Sequence, residues 1–76
     1  MDKKLILRYD NEGDILYVDA IEPYAEQNSE EIEQGVIARL NPDNGEIENL
    51  EVLFFNARLK RGERLELPLL SKPEVA

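Results

Sequence analysis

Residues 41–56, Asn41-Pro42-Asp43-Asn44-Gly45-Glu46-Ile47-Glu48-Asn49-Leu50-Glu51-Val52-Leu53-Phe54-Phe55-Asn56, place a turn signal directly before the most apolar run of the chain. Pro42 presets φ for the start of a turn, and Asn44-Gly45 supplies the positive φ that closes one. In the run that follows, Leu50, Val52 and Phe54 fall on one face of a strand, and Leu53 and Phe55 on the other. Ile47 is out of step with the first set, and a β-bulge at Glu48-Asn49 reconciles the two halves. A strand apolar on both sides needs cover on both sides, from its own chain or from a second one.

Upstream of that turn, Gly35-Val36-Ile37-Ala38-Arg39-Leu40 alternates as a strand, with Val36, Ala38 and Leu40 on one side. Leu5-Ile6-Leu7-Arg8-Tyr9 and residues 15–21 are two further strands, joined by Asp10-Asn11-Glu12-Gly13-Asp14, in which Gly13 is the expected left-handed position. Tyr9 and Tyr17 then fall in neighbouring strands, and cross-strand aromatic packing is the expected relation between them. Glu22-Pro23 ends the second of these strands. Residues 24–34 are acidic and nearly free of aliphatics. Asn28-Ser29-Glu30-Glu31 has the form of a capping box, but Gly35 stops any helix after barely a turn, too short to hold alone. Extended edge structure is the reading, and a single helical turn the alternative.

Downstream, Ala57-Arg58-Leu59-Lys60-Arg61-Gly62 and Arg64 form the one basic cluster, read as solvated and balancing nearby acids. Leu65, Leu67 and Leu69 then alternate, and Pro68 confines that segment to an edge or the surface. Residues 71–76 are expected to fray. The fold predicted is mainly β: a small antiparallel sheet built from two hairpins, with an extended C-terminal tail. Main strands are expected at about 3–10, 15–21, 35–41 and 46–56, a weak one near 24–31, and the tail near 63–70. The predicted core is Leu5, Leu7, Leu16, Val18, Ala20, Val36, Ala38, Leu40, Leu50, Val52 and Phe54.

Composition sets the outer bounds. Seventy-six residues make one domain, 1–76, with an ordered part expected at about 3–70. A chain this short buries only about 60% of its unfolded surface, so pairing with a second chain is a common source of added stability. With no Cys, neither a disulfide nor a thiolate metal site can help. Seventeen acidic residues against nine basic give a net charge of −8, which argues against nucleic acid and anionic membranes as partners and is compatible with a basic protein. No apolar stretch approaches the ~20 residues of a membrane span, and Met1-Asp2-Lys3-Lys4 precedes only three apolar residues, too few for a signal-peptide core. A cytoplasmic location is the expectation.

Catalytic chemistry has little to work with. The chain lacks His and Cys, its serines are Ser29 and Ser71, and it has no Thr, so no nucleophile–base pair can be assembled. Asp10, Glu12 and Asp14 have the odd-position spacing of a calcium loop, but Ile15 stands where that loop needs Gly and Ile21 where it needs a bidentate Glu. They read as a hairpin turn. No catalytic residue, metal site or cofactor is expected.

Two stretches resemble a known family. Tyr9-Asp10-Asn11-Glu12-Gly13-Asp14-Ile15-Leu16-Tyr17-Val18 is similar to its opening, a tyrosine-aspartate, a short acidic turn, then aspartate-x-leucine-tyrosine-isoleucine. Asp43-Asn44-Gly45-Glu46-Ile47-Glu48-Asn49-Leu50-Glu51-Val52-Leu53 is similar to its second half, an acidic-glycine turn followed by glycine-isoleucine-glutamate-isoleucine-leucine. The family is DUF2283, small prokaryotic proteins of unknown function, and the likeness covers roughly residues 5–56. Asn49 stands where the family usually has Gly, which fits a left-handed or bulged position. The resemblance brings no catalytic residue or cofactor. Members of the family are often encoded beside small basic candidate toxins, so it implies an antitoxin-like or partner-binding role.

The function expected is therefore a non-enzymatic protein-interaction module that self-associates or binds a protein partner. A homodimer is expected through Leu53 and Phe55, with Leu65, Leu67 and Leu69 folding over the same patch or crossing to the neighbour. A carboxylate-based metal-dependent enzyme and a structural domain without a dedicated partner are the alternatives.

Overall fold

The computed structural model describes residues 4–68. One antiparallel sheet carries β1 Ile6–Asp10, β2 Ile15–Asp19, β3 Asn28–Glu33, β4 Val36–Leu40 and β5 Ile47–Leu53, and a short helix, α1 Phe55–Lys60, follows. The strands lie in the order β1-β2-β5-β4-β3. The mainly β expectation holds. The weak strand near 24–31 is a full one, β3, paired to β4 at the sheet edge, where its glutamates project into solvent.

The β4–β5 turn forms as its sequence predicts. Asn41 Oδ1 accepts the backbone N–H of Asp43 at 2.7 Å and of Asn44 at 3.1 Å. The Gly45 N–H donates to Asn41 O at 2.8 Å, with Gly45 at φ 76°. Arg39 faces Asn49 but Leu40 faces Ile47, so Glu48 is the extra residue of a bulge. The bulge brings Ile47 onto the side of Leu50 and Val52, where it packs against the core.

That core lies on one face. The pairs Leu16↔Val52, Val18↔Leu50, Val36↔Val52 and Ala38↔Leu50 stack its residues across β2, β5 and β4. Val36, Ala38, Leu50 and Val52 are at most 1% exposed, and burying an aliphatic side chain of this class is worth ~1.5–3 kcal/mol. Leu16, Ile32, Leu40, Ile47 and Leu67 close around them. Leu67 arrives from the C-terminal tail, so its own chain covers part of this face.

Several expectations need correction. Leu5 and Leu7 are exposed, because β1 is the outermost strand and the cover does not reach it. Phe54 is 61% exposed rather than core. The strand ends at Leu53, and Phe54 adopts φ 56°, ψ 42°, turning the chain into α1 where the sequence predicted strand to 56. In the β1–β2 turn the left-handed residue is Asp14, φ 56°, and not Gly13. Asp10 Oδ1 builds that turn by accepting the N–H groups of Glu12 and Gly13 at 3.1 and 3.2 Å. Asn49 sits beside the bulge but not at positive φ. Tyr9 and Tyr17 do not pair, since Tyr9 faces Leu16 and Tyr17 faces Arg8 on the opposite side of the sheet.

Candidate interaction surface

The face opposite the core carries a polar network beside Ile15, Ile37 and Leu53. Asn49, 2% exposed, is its hub. Its Nδ2 donates to Asp19 Oδ1 at 2.9 Å and to Ile21 O at 2.7 Å, and its Oδ1 accepts from Gln27 Nε2 at 2.7 Å. Gln27 also reaches Glu48 Oε1 at 2.9 Å, beside the Tyr24 hydroxyl at 2.7 Å, while Asn41 Nδ2 donates to Glu48 Oε2 at 2.8 Å. Arg8 closes the other end, with Nε 3.1 Å from Asp19 Oδ2 and its guanidinium 4.5 Å over the Tyr17 ring. Among the described residues no buried side-chain nitrogen or oxygen lacks a partner, and the network ties the loop across residues 20–27 to the sheet.

A second cluster fastens α1 to the sheet. Asp14 accepts the Asn56 N–H at 2.7 Å and the Ala57 N–H at 3.3 Å, capping the helix from a distant turn. Its Oδ1 also accepts the Tyr9 hydroxyl at 2.5 Å. On the far side Arg58 donates to Leu53 O at 3.0 Å and to Gln34 O at 2.6 Å. Beyond the helix, Gly62 at φ 73° closes a Schellman motif, with Gly62 N–H on Leu59 O and Glu63 N–H on Arg58 O.

Several carboxyl and phenol groups of these two clusters and of the C-terminal segment shift away from neutrality. The bond from Tyr9, with help from the Asn56 N–H, holds Asp14 below its ordinary value. The same bond raises Tyr9. Burial opposes ionisation of Glu48, but the donors Asn41, Gln27 and Tyr24 outweigh it and lower its carboxyl. The bond to Glu48 pushes Tyr24 up to about 12. Arg61, 2.6 Å away, lowers Glu63.

Between the β3–β4 turn and α1 runs an open groove of about 470 Å³, lined by Glu31, Gln34, Gly35, Arg58 and Arg61 among others. Its arginines are engaged, Arg58 with Gln34 O and Arg61 with Glu63. Arg64 likewise pairs with Glu66. The three arginines of the basic cluster thus have intramolecular partners. Asp10 and Asp14 commit carboxylate oxygens to backbone N–H groups of the turn and of α1.

The residues predicted for an interface are partly covered by their own chain. Leu53 is half-buried opposite Ile15 and donates its N–H to Gly35 O at 2.8 Å. Phe55 is half-buried against the Tyr9 ring, centroids 6.1 Å apart. Leu65 and Leu67 are half-buried, but Leu67 packs against the core on the opposite face of the sheet and not over Leu53 as expected, and Leu69 lies outside the described residues. The broad apolar surface is elsewhere, on β1. Leu5 is 54% exposed, Ile6 and Leu7 59%, and Tyr9 44%. Alternation along the chain marks these residues as strand, but nothing local marks that strand as an edge.

Comparison with protein families matches residues 6–56 to the family described as protein of unknown function (DUF2283). The match spans more than half of the 76 residues, so the chain belongs to the DUF2283 family. Comparisons with curated proteins and with solved structures find no match.

Proposed function

We propose that this DUF2283 protein is a non-enzymatic interaction module whose first partner is another copy of itself. The observation that carries this reading is β1, a strand at the open side of the sheet with large apolar side chains exposed on both its faces. Exposed edges of this kind are sites of strand addition unless charge or cover blocks them. The other open edge, β3, carries Glu30, Glu31 and Glu33 and is blocked by its charge.

Sedimentation velocity from about micromolar to hundreds of micromolar tests the reading. A dimer forming in that range is expected, and a monomer throughout would overturn it. The enzyme alternative is tested by melting the protein with and without divalent cations. No stabilisation is expected up to about 1 mM, the weak end of protein calcium sites.

The acidic β3 edge favours a second, compatible role, an antitoxin-like capture of a basic protein. Complementary charge would speed that association and make it salt-sensitive. An association rate with such a partner that is equal at low and high salt would exclude charge steering.

A further inference from the structure

We infer that a second copy adds to the sheet through β1, antiparallel about a two-fold axis at Leu7, so that Lys4 of each copy faces Asp10 of the other. This rests on the self-association reading and specifies its surface and register.

Three constraints select the arrangement. Pairing about a two-fold axis perpendicular to the sheet closes after two copies and keeps both core faces on one side. Residues directly opposite must then share a face, so the axis passes through a residue and not between two. Leu7 and Tyr9 oppose Val18 and Leu16, which fixes Leu7 and Tyr9 on the core face and Ile6 and Arg8 on the opposite face. Carrying the alternation two residues before the strand puts Leu5 with the first pair and Lys4 with the second.

Charge then separates the remaining registers. An axis at Arg8 puts Arg8 against Arg8. An axis at Ile6 puts Lys4 against Arg8. Both set like charges directly opposite, which is destabilising in a sheet. An axis at Tyr9 sets Leu7 against the turn residue Asn11, and an axis at Leu5 pairs no residue of Ile6–Asp10 with another of that strand. An axis at Leu7 puts Leu7 on Leu7, Leu5 on Tyr9, Ile6 on Arg8 and Lys4 on Asp10. Every pair is apolar, oppositely charged, or an aliphatic against the stem of an arginine. The Arg8 guanidinium is already held by Asp19 and Tyr17, leaving its stem to cover Ile6. On the core face, Leu5 of the second copy lands beside the Tyr9–Phe55 ring pair.

The chain has no cysteine, so single cysteine variants report the register directly. Opposed Cα atoms in an antiparallel pair lie about 4.5–5.5 Å apart, within disulfide range. Leu7→Cys should oxidise to a covalent dimer at concentrations where the wild type is dimeric by sedimentation. Leu5→Cys should not, because two Leu5 positions are offset by four residues along the strands, about 13 Å. An equimolar mixture of Leu5→Cys and Tyr9→Cys chains should cross-link to the heterodimer. Lys4→Glu should weaken the dimer about tenfold, an effect that shrinks in high salt. Lys4, Leu5 and Leu7 are exposed, so their variants are expected to fold, and the fold of Tyr9→Cys, which gives up the bond to Asp14, is checked by circular dichroism. A dimeric wild type whose Leu7→Cys variant stays uncross-linked, or whose Leu5→Cys variant cross-links equally well, would refute the register and leave self-association standing. A wild type that is monomeric at every concentration would refute both.

Discussion

The carboxylate of Asp14 accepts the backbone N–H of Asn56 at 2.7 Å across a sequence separation of 42 residues. The β1–β2 turn thereby caps a helix that has no capping side chain of its own. Asp14→Ala should lower the melting temperature by several degrees through loss of that cap. Asp14→Asn reports on the charge. The folded-state value of Asp14 lies below the ordinary 3.8, so its contribution is complete above that value and is lost as pH falls through the lowered one. The gap between wild type and Asp14→Asn in thermal melts should therefore close on the acid side. A gap independent of pH would mean that the charge plays no part.

Two glycines at nearly equal φ should respond differently to alanine. Gly45, φ 76°, has open space where a Cβ would be, whereas a Cβ on Gly35, φ 77°, would lie 2.5 Å from Arg58 Nη2. Gly45→Ala should cost about 1–2 kcal/mol from the left-handed backbone alone. Gly35→Ala should cost more, because the Arg58 bond to Gln34 must also shift. Urea midpoints of the two variants test this order, and equal losses would show that Arg58 adjusts freely.

Asn49→Ala should destabilise by about 1–3 kcal/mol by stranding its buried partners Asp19 and Gln27. A double-mutant cycle with Gln27→Ala should give strong coupling, since both residues belong to one network. Additive losses would show that the two act independently.

Tyr24→Phe should weaken the fold at neutral pH by removing the bond to Glu48. The Tyr24 phenol is raised from 10.0 to about 12, so its contribution is complete below pH 10.0 and is lost as pH rises toward about 12. Alkaline difference spectra should lose their latest-titrating phenol in this variant. An unchanged late phase would place the raised group elsewhere.

What the sequence reveals here follows from locality. The Asn41–Gly45 turn and the Glu48 bulge were readable because turn chemistry and phase are written in adjacent residues. The alternation of β1 was equally readable, but its outermost place was not, since that depends on β2 pairing with β5 from the far end of the chain. α1 was hidden for the same reason. Its cap is Asp14 and its second tie is the Gln34 carbonyl, neither of which neighbours residues 55–60 in sequence. Gly62 was a local hint of its end. Asn49 stood out by its position in the bulge, but its role as a buried hub depends on Gln27 and Asp19 meeting across three segments.

The two open sides of the sheet give each molecule a valency. In the proposed dimer Glu30, Glu31 and Glu33 would keep β3 from adding a further copy, so growth through the sheet edges would stop at a pair. Neutralising those glutamates would raise the valency from one to two. The proposed pair would then become a building block for ribbon-like polymerisation, with no change to its core.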